Sequence, residues 1–449
     1  MNYKYESIAE QVRKDICEKG LKAGEKLPSI RNVCEIFNCS ISCAIKAYYL
    51  LVNNNIIYSV PGSGYFVMEN KEHQRENQGE EIFDFASGNM DIQVLPIAEF
   101  RDCIDKAIEL YKEELFLYSN PMGAKTLREK LSKFFMDYQV FAKPENIAVT
   151  SGSQQALDIL TRMPFPNQKE KILLEQPTYF CIMNMASLNG IKALGIERTE
   201  KGLDLQGLES LFMTEPIKFF YTVSRFQHPT GYSYTSAQKK SLLKLAEKYE
   251  VYIIEDDHLA DLELVKRNDP IKAFDINNRV IYLRSFSKTL FPGMRLGAIV
   301  LPPELVNNFK IYKFNSDVYS SMLSQGALEV YIQSGMHHHH TKRIREHYNK
   351  RMRLFKTKWD ALKINCRSAY IPETGFYAWI ELHDDISAGQ LKYNLAKRNV
   401  HIDDGSKYYM EQYKKSNFIK LCLSNIKDDK IHRGLVIIKE EIERMKNGR

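Results

Sequence analysis

Residues 285–297 read SFSKTLFPGMRLG. A lysine, Lys288, sits among three hydroxyls, Ser285, Ser287 and Thr289, and an arginine, Arg295, follows seven residues later in a glycine-flanked turn. Hydroxyls and a fixed guanidinium suit a phosphate, and a lysine held beside a bound phosphate can serve as an amine nucleophile instead of a counter-ion. What the stretch does depends on what precedes and follows it.

From residue 83 onward, apolar runs rich in β-formers alternate with helical stretches: NIAVTSG then SQQALDIL, KILLEQP, FFYTVS, VYIIEDD, VIYLRSFS and AIVLP. Apolar strands separated by helices predict a mostly parallel sheet covered on both faces, with ligands at the carboxyl ends of its strands. The notable motifs all fall at such ends. Ser153 and Gln154 open a helix, where free backbone N–H groups favour a phosphate. Tyr179 follows a proline-set turn, and Asp256 is one of three acids that close a strand, a candidate partner for a ring nitrogen. Taken singly, these are an ordinary helix start, a loop tyrosine and a solvated or metal-holding acidic end.

At 449 residues the chain predicts two or three domains, and 44% hydrophobic with 27% charged residues reads as globular. No apolar run reaches membrane-spanning length and the start, MNYKYESIAE, lacks a signal-peptide core, so a cytoplasmic protein without a membrane partner is expected. The eight cysteines form no CxxC pair and are expected to be reduced. Cys34, Cys39 and Cys43 lack the paired spacing of a zinc knuckle, and no metal is expected. A formal charge of +7 is compatible with a nucleic-acid partner without establishing one. The run His337–His340 reads as the solvated start of a cationic helix.

Residues 69–81, ENKEHQRENQGEE, contain no large apolar side chain and predict a flexible linker with a reach of roughly 20 Å. Before it, residues 1–68 predict a separate domain. Its first helix spans about Glu6 to Lys19, with Ile8, Val12 and Ile16 on one stripe. Ser29 caps a short helix with Val33, Ile36 and Phe37 inward, Ser40 caps a third helix to about Asn53, and IIYSV, PGSG and YFV form a hairpin. Helix, short helix, turn, helix and hairpin make a winged helix-turn-helix.

LKAGEKLPSIR, the frame from Ser40 to Leu51, and PGSGYFV resemble the DNA-binding domain of GntR-type bacterial regulators over nearly all of the first 67 residues. The resemblance implies double-stranded operator DNA as partner. It implies that Arg31 contacts a phosphate and that Ser40, Ile41, Ser42, Ile45 and Lys46 bring helix three to the major groove, with Gly62, Ser63 and Gly64 in the wing. The chain departs from the pattern at Ile41 and Cys43, where an arginine and a threonine are usual. Either Ile41 and Ile45 meet thymine methyl groups, or another part of the protein covers them.

The later motifs, in their order, resemble the fold-type I aminotransferases, which bind pyridoxal 5′-phosphate, over most of residues 83–449. That resemblance implies an α/β fold with a mostly parallel central sheet (residues 82–449 as the cofactor and dimerisation domain). It implies that Lys288 forms the Schiff base, that Asp256 faces the pyridine nitrogen and that Tyr179 stacks on the ring. Ser153, Gln154, Ser285, Ser287 and Arg295 would hold the phosphate, joined by Tyr118 from a partner subunit, so a head-to-tail homodimer is implied. Three positions depart from the family. His228 stands for an asparagine and His258 for a tyrosine, both aimed at the cofactor's phenolic oxygen; each either fills a hydrogen-bonding slot or tunes the Schiff base by its own protonation. Lys420 stands where an arginine grips a substrate carboxylate, and a lysine cannot make that bidentate fork.

A GntR-type winged helix tethered to such a domain resembles the MocR group of bacterial transcription regulators. The implied function is regulation by sensing pyridoxal 5′-phosphate, or an amine or amino acid that reaches it at Lys288. The alternative is a working aminotransferase with an appended winged helix.

Overall fold

The computed structural model describes residues 4–18, 20–53, 56–60, 62–68, 81–264 and 268–447. The expected linker, apart from Glu81, lies outside the described residues. The chain divides into two compact units, Met1–Glu81 and Ile82–Arg449.

In the first unit, helices α1 (Lys4–Glu18), α2 (Ile30–Ile36) and α3 (Ile41–Asn53) precede an antiparallel hairpin of β1 (Ile57–Val60) and β2 (Gly64–Val67). The Ser29 hydroxyl accepts from Asn32 N at 3.3 Å and the Ser40 hydroxyl from Cys43 N at 3.3 Å, so both expected caps form. Ile8, Val12, Ile16, Val33, Ala44, Ala47, Tyr48 and Leu51 build the core. One expectation fails: Ile36 is 63% exposed. The stripe that packs is Ile30, Val33, Cys34 and Phe37, a spacing of three, four and seven, and Ile36 lies about a quarter turn off it. The segment between α1 and α2 also joins the wing, because Leu27 N donates to Tyr65 O at 2.8 Å and Val67 N to Glu25 O at 2.9 Å, laying a third extended segment on it.

The second unit begins with β3 (Phe83–Asp84). Strands β4 (Ile147–Thr150), β5 (Lys171–Gln176), β6 (Ala193–Thr199), β7 (Gly202–Leu203), β8 (Ile217–Thr222), β9 (Tyr252–Asp256), β10 (Val280–Ser285) and β11 (Gly297–Val300) form one sheet in the order β4-β11-β10-β9-β8-β5-β6-β7. The central pairs β10/β9, β9/β8, β8/β5 and β5/β6 are parallel. Strand β11 runs against both β10 and β4, which makes β4 parallel to β10, and β7 runs against β6. Successive side chains alternate between two apolar layers. Ile172, Leu174, Phe219, Tyr221, Ile254, Ile281 and Leu283 pack with Ala156, Leu157 and Leu160 of the helix Ser153–Arg162. Leu173, Phe220, Ile253 and Val280 pack with Leu242, Leu243 and Ala246 of the helix Ser236–Lys248 on the other face. Burial on both faces is why these strands read as unbroken apolar runs.

A second, antiparallel sheet holds β12 (Ser368–Tyr370), β13 (Tyr377–Glu381), β15 (Asp403–Asp404) and β16 (Phe418–Cys422) in the order β12-β13-β16-β15, while β14 (Val400–His401) pairs with β3. The helices Met336–Leu362 and Asp428–Asn447 cover it. The histidine run does start a helix, but its solvated reading is only half right. His337 and His340 are buried while His338 and His339 face outward, because residues three apart share a helix face. His340 sits between the Tyr331 hydroxyl at 2.7 Å and the Val94 carbonyl at 3.1 Å.

The packing of the first unit gives a paired test. Leu51, fully buried, is expected to cost the unit about 2–5 kcal/mol on Leu51→Ala, whereas Ile36→Ser on the exposed rim changes stability by less than about 0.5 kcal/mol. Hydrogen-exchange protection of the α3 amides in the full chain reads both.

Candidate functional site

A cavity of about 290 Å³ opens at the carboxyl ends of the parallel strands. Eight of the residues singled out in the sequence line it: Ser153, Tyr179, His228, Asp256, His258, Ser285, Lys288 and Lys420. Their convergence follows from topology. Ser153 follows β4, Tyr179 follows β5, His228 lies in the turn after β8, Asp256 ends β9, and Ser285 ends β10. SFSKTLFPGMRLG is the connection that carries β10 back into the reversed β11.

The three acids that end β9 have separate fates. Glu255 accepts from the backbone N–H groups of Ile271 at 2.7 Å and Lys272 at 2.9 Å. Asp257 is ion-paired to Arg225 and accepts from the Tyr282 hydroxyl at 2.8 Å. Among the described residues, Asp256, pointing to the opposite side of the strand, accepts only from the Tyr221 hydroxyl at 3.0 Å through Oδ2, and its buried Oδ1 has no partner. Burial pushes the Asp256 carboxyl up to about 7, helped by the charge of Asp257. Asp257 is held below the usual carboxylate range, because Arg225 outweighs the opposing effect of burial.

Lys288 lines the same cavity as Asp256, its Nζ donating to the Gly88 carbonyl at 2.6 Å. A methyl group added at Gly88 would stand 2.9 Å from Lys288 Nζ, the far end of a flexible side chain. Burial lowers the lysine's pKa, and the charge of Lys420 adds to the effect. Both histidines have a buried ring nitrogen without a partner, Nδ1 of His228 and Nε2 of His258. Burial depresses both, His228 well below its usual value with help from Lys420, and His258 to about 3 with help from Lys288. At neutral pH both rings are uncharged, which favours the hydrogen-bonding role over titration.

The helix Ser153–Arg162 opens at Gly152 without a side-chain cap. Arg295, itself in the left-handed region at φ 51°, donates to the Ser151 carbonyl at 3.3 Å, and its guanidinium lies 2.9 Å from where a methyl group on Gly152 would stand. Gln154 donates to the Tyr179 hydroxyl at 2.9 Å, and Ser287 N donates to the Ser285 hydroxyl at 3.2 Å. These three expected residues flank the cavity without lining it. Tyr118 is 88% exposed and is not part of its wall either.

Lys420 has partners of its own in the wall. Its ammonium is 2.8 Å from Asp403 Oδ2 and donates to the Tyr408 hydroxyl at 2.9 Å. Asp403, Lys407, Tyr408 and Tyr221 line or support the cavity and were not read from the sequence. In the first unit Arg31, Ser40, Ile41, Ser42, Ile45 and Lys46 lie at or near the starts of α2 and α3, Gly62 and Ser63 lie in the hairpin turn, and Gly64 opens β2 opposite Val60. Ile41 and Ile45 are exposed, and Tyr49, four residues on, extends their stripe.

A winged helix-turn-helix joined to an aminotransferase-like α/β body defines a fused regulator class. Residues 4–67 match the family of bacterial regulatory proteins, gntR family, and residues 80–438 match aminotransferase class I and II. The chain belongs to the MocR-type regulators, in which these two domains are joined. It is 40% identical to the HTH-type transcriptional regulator YcxD of Bacillus subtilis over 97% of this chain and 99% of that one. Against the probable rhizopine catabolism regulatory protein MocR of Rhizobium meliloti the figure is 28%, covering 78% and 76%. The kynurenine aminotransferase of Pyrococcus horikoshii, solved with PMP, superposes with a TM-score of 0.75 at 27% identity over 84% of this chain and 95% of that one. Among the described residues no single helix is long and apolar enough to cross a membrane.

Asp256 gives a pH-dependent test. Its folded pKa lies above the ordinary 3.8, so folding favours the protonated form; the penalty is absent at pH values below 3.8 and is complete above about 7. In cofactor-free protein, Asp256→Asn is expected to raise the melting temperature, by a margin that widens from pH 5 to pH 8. Thermal unfolding at the two pH values checks it.

Proposed function

We propose that this protein is a transcription regulator whose first unit reads operator DNA and whose second binds pyridoxal 5′-phosphate and a small amine, working as a homodimer in the cytoplasm. One observation carries the cofactor reading: a buried, partnerless Asp256 oxygen shares a cavity with a pKa-depressed lysine. An acid so placed is stabilised by a protonated ring nitrogen, which supplies both the charge and the N–H that it lacks. The remaining donors fit the same group. Ser153, Ser285 and the uncapped helix start would hold its phosphate, with Arg295 and Ser287 behind them and Gln154 fixing the hydroxyl of Tyr179. His228 and His258, as neutral rings, would face its phenolic oxygen.

Bound there, pyridoxal 5′-phosphate would supply an aldehyde for which Lys288 and a ligand amine compete. The chain's own part is to lower the pKa of Lys288 by burial, to hold it against Gly88, and to keep Asp256 ionised once a cation faces it. Exchange at Lys288 alters charge in a buried wall, and domain arrangements that bind DNA unequally would then shift in population. Turnover as an aminotransferase is disfavoured, because Lys420 is already bound to Asp403 and offers no fork to orient a substrate.

Two outcomes are expected. Purified protein mixed with pyridoxal 5′-phosphate turns yellow, and borohydride reduction fixes the label on Lys288; a colourless Lys288→Ala variant agrees, whereas colour and label at another lysine sink the assignment. For DNA, binding selection from random duplexes should return A·T-rich sequence under α3. Ile41→Ala should weaken the selected site about tenfold, and uracil in place of thymine there should weaken the native chain similarly.

A further inference from the structure

We propose that the ligand amine recognised in this cavity is an uncharged-tail primary amine without a carboxylate, because the chain's own Asp403 already occupies the cations a ligand carboxylate would need. The inference rests on the reading of the cavity as a pyridoxal 5′-phosphate and amine site. Asp403 and Lys420 are direct cross-strand partners in the β15/β16 register, so their pairing is built into the sheet. Asp403 Oδ2 takes Lys420 at 2.8 Å and the Tyr408 hydroxyl at 2.8 Å, and Oδ1 takes Lys407 at 2.8 Å. Both carboxylate oxygens are thus engaged. Burial opposes ionisation, yet the charges of Lys420 and Lys407 hold the Asp403 carboxyl down at about 2, so it stays an anion at any physiological pH.

The cations in the cavity wall are Lys288, Lys407 and Lys420. Lys288 belongs to the amine end, and the other two share Asp403. A ligand carboxylate would have to draw Lys420 away, leaving a buried anion short of its partner, or lie beside that anion and be repelled. A second ammonium on the ligand fares no better, because two lysines against one aspartate leave this end with a charge of about +1. An uncharged tail meets neither obstacle. Phe180, Tyr377 and Tyr408 give it an aromatic wall.

Matched pairs test this. The full chain loaded with pyridoxal 5′-phosphate is titrated with 2-phenylethylamine and phenylalanine, and with isobutylamine and valine, following the visible spectrum. Each amine is expected to half-saturate the change at a concentration about tenfold or more below its amino acid. Asp403→Asn, which keeps the shape and frees Lys420, should shift that ratio about tenfold or more toward the amino acid, and Asp403→Ser serves as a second variant should the first not fold. Amino acids equal to or better than amines in the native chain, an unchanged ratio in both variants, or a coloured protein that answers no amine would overturn the inference while leaving cofactor binding intact. A native chain that never colours would instead sink the reading beneath it.

Discussion

A single unpaired carboxylate sets the logic of the large unit. Strand β9 delivers three consecutive acids to the carboxyl edge of a sheet buried on both faces, and such a site tolerates ionised groups only where cations or donors meet them. Glu255 and Asp257 are met by backbone N–H groups and by Arg225. Asp256 is left with one tyrosine hydroxyl. The asymmetry is a consequence of pleating: neighbours on a strand face opposite sides, so the middle acid alone turns to the cavity. Everything else in that wall, the depressed lysine, the neutral histidines and the uncapped helix, acquires chemical meaning from the charge that Asp256 lacks.

The sheet explains why residues more than a hundred positions apart share this wall. Parallel strands end on the same edge, so each βα connection contributes its first residues to one place. Reversal of β11 lets the chain turn back beside β10, and the loop between them brings Lys288 inward and Arg295 toward the helix opening at Gly152. Gly152, beneath the arginine, has a φ of 86° that a side chain would strain, and Lys288 comes close over Gly88.

What the sequence revealed, and what it hid, divides along interaction range. Strand-end motifs were legible because a strand, its turn and the next helix are contiguous, and eight expected residues do meet in the cavity. Caps at Ser29 and Ser40 were legible for the same reason. Ile36 misled because the seven-residue helix α2 packs by Ile30, Val33 and Cys34 with Phe37 at its C-cap, and a stripe so short can be rotated without changing its apolar count. The buried His337 and His340 were hidden because a run of four identical residues carries no periodicity. Asp403 was out of reach altogether: its partner Lys420 is seventeen positions later, and only the β15/β16 register brings the two opposite each other.

That ion pair also bears on how an aminotransferase-like domain would serve a regulator under the proposed reading. Efficient transfer needs the reacting bond held in one orientation, which a planar, bidentate guanidinium achieves and a point charge does not. Here the point charge is moreover spent on a neighbouring strand. Under the proposed reading, Lys288, Asp256 and the residues proposed to hold a phosphate would suffice for an amine to come and go, while Lys420, paired with Asp403, offers no fork to fix what it brings with it. Reversible exchange without enforced orientation is adequate for a sensor, whose output is a difference in binding free energy between states, and is poor equipment for a catalyst, whose output is a lowered barrier.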